Sequence, residues 1–120
     1  MAEAARGDEV VITSSEDERT KLVFVRGDRS AEETGFVCRY VSPTFAGRVA
    51  CSTYRSGSPS ALFAAFAANW RGWEGEKAWY DIDDALHLVA TADRLGHVRI
   101  AIRMNDHADH VLTGAVVIDA

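Results

Sequence analysis

Apolar and polar residues alternate with period two along most of this chain, and in one window they switch to helical spacing. Period two places successive side chains on opposite faces of a sheet, whereas spacing of three and four places them on one side of a helix. Val10 to Thr13 and Leu22 to Val25 are short β-rich runs on either side of the acidic, polar segment Ser14 to Arg19, and they predict a first hairpin. Gly27 to Thr34 is a polar loop. Phe36 to Val41 and Phe45 to Tyr54 are two further strands, separated by Ser42-Pro43-Thr44, where proline fixes φ and ends the first of them. Ser58 then suits an N-cap and Pro59 a first helical turn, so a helix is predicted from Pro59 to Arg71 with Gly72 as its stop. Leu62, Phe63, Phe66, Ala67 and Trp70 form its apolar stripe, which should lie across a sheet face.

The last part of the chain specifies itself most tightly. Asp84 to Asp93 and His97 to Asn105 flank Arg94-Leu95-Gly96, a three-residue hairpin loop with glycine at the left-handed position. That loop pairs Asp93 with His97, and the register then pairs Ala92 with Val98, Ala90 with Ile100, Leu88 with Ile102, and Leu86 with Met104. One face is wholly apolar, and a slip by one residue would mix the faces. After a turn over Asn105 to Asp109, the strand His110 to Ile118 extends that face with Leu112, Val116 and Ile118. The expected fold is therefore α+β: an antiparallel β-meander of about seven or eight strands, with one α-helix inserted after strand 4 and packed on the sheet. Leu88, Ile100, Ile102, Phe66 and Trp70 are the expected core anchors.

Length and composition narrow the class. A chain of 120 residues with 48 % hydrophobic and 26 % charged residues is one ordinary globular domain, read as residues 9–120 behind a disordered polar tail at 1–8. The first eight residues carry no apolar h-region, and no apolar run is long enough to span a bilayer, so a cytoplasmic protein without membrane association is expected. A net charge of −5 with scattered basic residues disfavours nucleic acid and favours a basic protein partner. Cys38 and Cys51 lie on neighbouring strands, and an odd hairpin loop between them would place them on opposite faces as reduced, structural thiols.

Candidate chemistry is sparse. Trp73 and Trp79 bracket a turn, with Glu74, Glu76, Asp81, Asp83 and Asp84 around them. Tryptophan anchors interfaces, and an acidic rim suits a basic partner. These seven residues are the expected partner-binding set. His97 opposite Asp93 reads as a register-pinning pair, since no third member completes a catalytic constellation. The run Asn105 to His110 holds His107 and His110 with Asp106 and Asp109, in a spacing that matches no strong metal motif. It reads as a polar hairpin turn, so no metal or cofactor is expected. An alternative is a small-ligand module or minor enzyme, with a pocket between helix and sheet near His87, His97 and Arg103. No P-loop, GxSxG, HExxH, CxxC or dinucleotide fingerprint is present, so the protein is expected not to be an enzyme.

The segment W-R-G-W-E-G-E-K-A-W, followed by D-I-D-D-A-L-H-L and D-R-L-G-H-V-R-I, together with Phe45-Ala46-Gly47 upstream, resembles an uncharacterised bacterial family of unknown function. It is also similar to the broader group of WapI-type immunity proteins. The resemblance spans roughly Val10 to Val117. It implies a small cytoplasmic, non-enzymatic protein that binds and blocks a toxin domain, often a nuclease with a basic surface. Relatives commonly continue into a short C-terminal helix, so a homodimer joined through the final strand is a further expectation.

Overall fold

The computed structural model describes the backbone of residues 2–5, and residues 9–26, 35–53, 57–69 and 71–119. In chain order the elements are β1 (Ala2–Ala5), β2 (Glu9–Thr13), β3 (Lys21–Arg26), β4 (Gly35–Val41), β5 (Ala46–Ser52), α1 (Ser60–Ala68), β6 (Lys77–Tyr80), β7 (Leu86–Ala92), β8 (His97–Asn105) and β9 (Val111–Asp119). Every strand pairing is antiparallel. The strands divide into two sheets, ordered β1-β2-β3-β4-β5 and β6-β7-β8-β9. The fold is thus mostly β with one helix among the described residues. The single meander is replaced by two sheets, because α1 and its flanking loops carry the chain away from β5 and β6 then pairs only with β7. Two sheets with one apolar face each can bury those faces against one another.

The helix follows β5, the fourth of the strands read from the sequence. The four-residue β6 was not among those strands. Ala2–Ala5, inside the stretch read as a tail, pairs along β2 with Ala4 opposite Val10. Gly27 to Thr34 and Trp70 lie outside the described residues.

The contacts between the sheets fix their relative direction. The Ser15 N–H donates to the Val117 carbonyl at 2.7 Å, and the Val117 N–H donates to Ser14 Oγ at 3.1 Å, just past the end of β2. In β4, the Tyr40 hydroxyl donates to the Ala115 carbonyl at 3.3 Å. In β5, Gly47 sits where a Cβ would lie 2.8 Å from Leu112 Cδ1. Moving from β2 to β5 is three strand spacings, about 14 Å, and moving from Val117 to Leu112 is five residues of strand, about 16 Å. Strand β9 therefore runs across the first sheet. In the same way β5 runs across the second, from Leu112 at Gly47 to Asp81 at Ser52, whose N–H donates to Asp81 Oδ1 at 2.7 Å. The sheets cross at close to a right angle, an orthogonal sandwich.

The core lies in this crossing. Ile12, Leu22, Cys38, Tyr40 and Cys51 from one sheet are buried with Leu86, Leu88, Ala90, Val98, Ile100, Ile102, Met104 and Val116 from the other. The register of β7 and β8 is the one read from the sequence, with Leu88 opposite Ile102 and Ala90 opposite Ile100. A sheet, rather than the helix, covers that face. Helix α1 instead joins an aromatic cluster at the side of the sandwich. Phe63 meets Phe24 edge-on at 5.9 Å and Phe66 at 5.3 Å, and Phe36 meets Trp79 at 5.7 Å. The helix stops at Ala68, short of Arg71, where Asn69 leaves the helical conformation at φ −119° and ψ 41° and its Nδ2 donates to the Ala65 carbonyl at 2.8 Å. At its start, Ser58 Oγ accepts the Ser60 N–H at 3.2 Å.

Both cysteines face the core, which corrects the expectation of opposite faces. Val41 pairs with Ala46, so the turn between them has four residues. An even turn pairs even positions with odd ones, and Cys38 lies opposite Val49 while Cys51 lies opposite Phe36. Both are free thiols. Burial, with the Asp81 carboxylate adding to it, pushes the Cys51 thiol up to about 12. Burial raises Cys38 as well, with Cys51 contributing.

This layout sets a contrast along β8. Ile100 is fully buried and Arg99 is exposed. Ile100→Val is expected to cost about 1 kcal/mol in urea unfolding, and Arg99→Ala no more than about 0.5 kcal/mol.

Candidate binding surface

The acid–tryptophan segment is split by the pairing of β6. Trp79 lies opposite Leu88 on the inner face, and Tyr80 lies opposite His87 on the outer one. Trp79 is 6 % exposed, and its indole N–H donates to the Gly57 carbonyl at 3.1 Å. Asp81 is 2 % exposed. Its Oδ1 accepts the Ser52 N–H, and its Oδ2 accepts the N–H groups of Asp83 at 3.0 Å and Ala85 at 3.2 Å. Trp79 and Asp81 are therefore withdrawn from the surface. One fills the aromatic cluster, and the other ties the β6–β7 turn to the edge of β5.

Trp73 is half-buried. Its ring stacks on Phe66 at 5.3 Å and 12°, and the Lys77 ammonium stands 5.3 Å from its centroid. With Phe66 and Lys77 against its ring and its indole nitrogen buried, little of it is left for a partner. Glu74, Glu76, Asp83 and Asp84 are exposed. Glu74 and Glu76 flank Gly75, whose φ of +75° makes the turn.

Two residues next to the expected ones complete this surface. Tyr80 is 49 % exposed and Ile82 41 %. Alternation carries the signal for Tyr80, because the residue beside an inward Trp79 must face out. That step needs Trp79 assigned inward, which depends on β7. Tyr80, Ile82, Asp83 and Asp84 thus form an exposed apolar and acidic turn at one corner of the second sheet.

The alternative pocket does not assemble. His87 and Arg103 are cross-strand partners on the outer face of the second sheet. His97 is at the far end of β8, six residues from Arg103 and about 20 Å away. His87 packs edge-on against Tyr80 at 4.9 Å and approaches Asp84 Oδ1 at 3.3 Å. Of the three, His97 alone reaches the helix side, where it lines a narrow crevice with Asn69, Gly72 and Trp73. It also lines an open, shallow depression of about 650 Å³ with Ser15, Thr91, Asp93, Arg99 and Asp119.

Both turns that flank β8 use one device. Asp93 Oδ1 accepts the N–H groups of Leu95 and His97, and its Oδ2 meets His97 Nδ1 at 2.9 Å. Asp106 Oδ1 accepts those of Ala108 and His110, and its Oδ2 meets His110 Nδ1 at 2.7 Å. These bonds are turn chemistry, and they occupy the acids of the histidine-rich run. Among the described residues no group of three or more His, Cys, Asp or Glu is arranged to hold a metal ion. The backbone bond from His97, followed by the bond from its ring, lowers the Asp93 carboxyl below its usual range. The same ring bond, then the Asp93 charge, raises His97 above its ordinary 6.5. A raised histidine stabilises the fold below pH 6.5 and loses that contribution as pH rises through its folded value. A lowered aspartate stabilises above its ordinary 3.8 and loses that as pH falls. The pair therefore contributes most between those limits. Urea unfolding should show a small stability loss from about pH 5.5 to about pH 8, and Asp93→Asn should reduce that pH dependence, leaving the smaller share due to Asp119 and Glu16.

The family model for DUF6228 matches residues 13–113. The chain belongs to this family of unknown function. The DUF6228 match takes in α1, the acid–tryptophan segment, Tyr80 and Ile82, and the whole of β6 to β8. No curated protein and no solved structure matches the chain. No helix among the described residues is long and apolar enough to cross a membrane.

Proposed function

We propose that this DUF6228 protein is a non-enzymatic binding protein that recognises a basic protein partner, in the manner of an immunity protein blocking a toxin domain. The observation that carries the reading is the exposure of Tyr80 and Ile82 beside the carboxylates of Asp83 and Asp84. Exposed aromatic and aliphatic side chains are the residues that anchor interfaces, and neighbouring carboxylates steer a basic surface to them. Glu74 and Glu76, also exposed, lie at the other end of β6, with Glu74 beside Ala92, Asp93 and Arg94. The similarity of the W-R-G-W to G-H-V-R-I stretch to WapI-type immunity proteins supports the toxin-blocking form of the reading, a nuclease-type toxin and a cytoplasmic site of action. The dispersal of His87, His97 and Arg103 leaves no observation favouring the ligand-pocket alternative.

The test is co-expression with a basic toxin domain encoded beside this gene. The wild-type chain should restore growth and co-purify with that domain. An Ile82→Arg/Asp83→Lys variant should bind at least about tenfold more weakly. Failure of the wild-type chain to bind any neighbouring toxin domain, or equal binding by the variant, overturns the reading.

A further inference from the structure

We infer that the free edge of β5 is a strand-addition site, for an extended segment of a partner protein that carries a carboxylate at its centre. The inference goes beyond the function proposed above and does not rest on it, since backbone pairing needs no toxin. Strand β5 ends the first sheet and pairs only with β4. Which of its peptide groups point outward is fixed at both ends. The Ser42 N–H donates to the Phe45 carbonyl at 2.8 Å, so that pair closes the turn, and the next pair, Val41 with Ala46, points its peptide groups away from one another. At the far end the Ser52 N–H points away from β4, onto Asp81 Oδ1. Ala46, Arg48 and Ala50 share that parity. All three are exposed, and nothing bonds their N–H and C=O groups. Proline, a bulge or charges usually block such an edge. Here the register with β4 is unbroken, and Arg48 is the one charged residue of β5.

Backbone groups free at alternate residues call for an extended chain, and the side chains beside them say which. Arg48 lies opposite Arg39 on the outer face of the first sheet. Arg39 has Glu9 within 3.7 Å, whereas Arg48 has no ion pair. Its other neighbours on that face, Val37, Val41, Ala46 and Ala50, carry no charge. In an antiparallel addition, the residue paired with Arg48 points to the same face, so a carboxylate there meets an unpaired guanidinium. The acidic turn begins beyond Ser52, which confines the favoured carboxylate to the middle of the segment. On the inner face Val49 is half-buried against the core, and Phe45, just before the strand, is 69 % exposed. Residues paired there would be apolar. A second copy adding about a two-fold axis would use all three outward residues only with Arg48 opposite its own copy, which sets like charges side by side.

The probe is a capped peptide in which valine and threonine alternate around a central glutamate, the valines falling on the inner face. It is titrated into the isotope-labelled protein while amide resonances and hydrogen exchange are followed. The amides of Ala46, Arg48 and Ala50 should shift and become protected, while those of Gly47 and Val49, already bonded to β4, should keep the protection they have. Ala50→Pro removes an outward donor and leaves the β4 ladder intact, and it should weaken binding at least about tenfold. Thermal unfolding checks that the variant is folded. The same peptide N-methylated at its glutamate should not bind, which tests the backbone pairing on the unaltered protein. Arg48→Glu should reverse the preference between this peptide and one with lysine at the centre. The probe contains no toxin domain, so its outcome is independent of the co-expression test above. The inference is overturned if the three amides stay unprotected, or if Ala50→Pro or the N-methylated peptide binds as well. It is equally overturned if the wild type binds the lysine peptide as tightly, or if sedimentation shows self-association that Ala50→Pro abolishes.

Discussion

Asp81→Ala is expected to lose about 3–4 kcal/mol of unfolding free energy, measured by urea denaturation at neutral pH. The carboxylate is buried and accepts three backbone N–H groups, from Ser52, Asp83 and Ala85. Hydrogen bonds to a charged acceptor contribute about 1.5–3 kcal/mol each, and donors left buried without a partner add their own desolvation cost. The bond to Ser52 also links the two sheets at the point where β5 crosses to β6. Losing the side chain therefore frees a turn and a junction together. Asp81→Asn should lose less, because the amide oxygen still accepts on one side while its NH₂ group faces a donor on the other. If Asp81→Ala unfolds at the wild-type midpoint, the buried carboxylate is not what holds this corner.

Gly114→Val should destabilise by about 3 kcal/mol, and Gly114→Ala by somewhat less. A Cβ at this position would lie 2.5 Å from Tyr40 Cζ and 2.6 Å from Cε2, too close for unshifted atoms. The ring cannot swing away freely, since Tyr40 is buried and its hydroxyl is bonded to the Ala115 carbonyl. Either the ring leaves and that bond breaks, or β9 shifts away from the first sheet. Tyr40→Ala in the Gly114→Ala background should cost less than the two changes summed, because the smaller side chain removes the clash. Strict additivity in that cycle would show that ring and strand do not press on one another.

These two positions mark the limit of what could be read along the chain. Neither Asp81 nor Gly114 is distinguished by its neighbours in sequence. Asp81 looks like one of five acids beside the tryptophans, and Gly114 like an interruption in a β-rich run. Their roles come from distant groups, Ser52, 29 residues from Asp81, and Tyr40 on β4, which meets Gly114 and bonds Ala115 beside it. The candidate surface shows the same division. Exposure of Glu74, Glu76, Asp83 and Asp84 follows from charge alone, since an unpaired carboxylate is costly to bury. The inward turn of Trp79 and Asp81, and with it the exposure of Tyr80 and Ile82, follows from the pairing of β6 with β7.

Local chemistry by itself determined the β7–β8 ribbon and the inward face of β9. A three-residue loop closed by Asp93 and His97 sets the register, and any slip would place Ile100 and Ile102 in water. It also determined the helix and its place after the fourth strand read from the sequence. The tertiary structure decided that the strands form two crossed sheets, that a four-residue turn turns both cysteines inward, and which half of the acid–tryptophan segment reaches solvent. The physical reason is range. Periodicity and turn chemistry act over a few residues, whereas the choice of partner for an apolar face is made by whichever distant surface buries it.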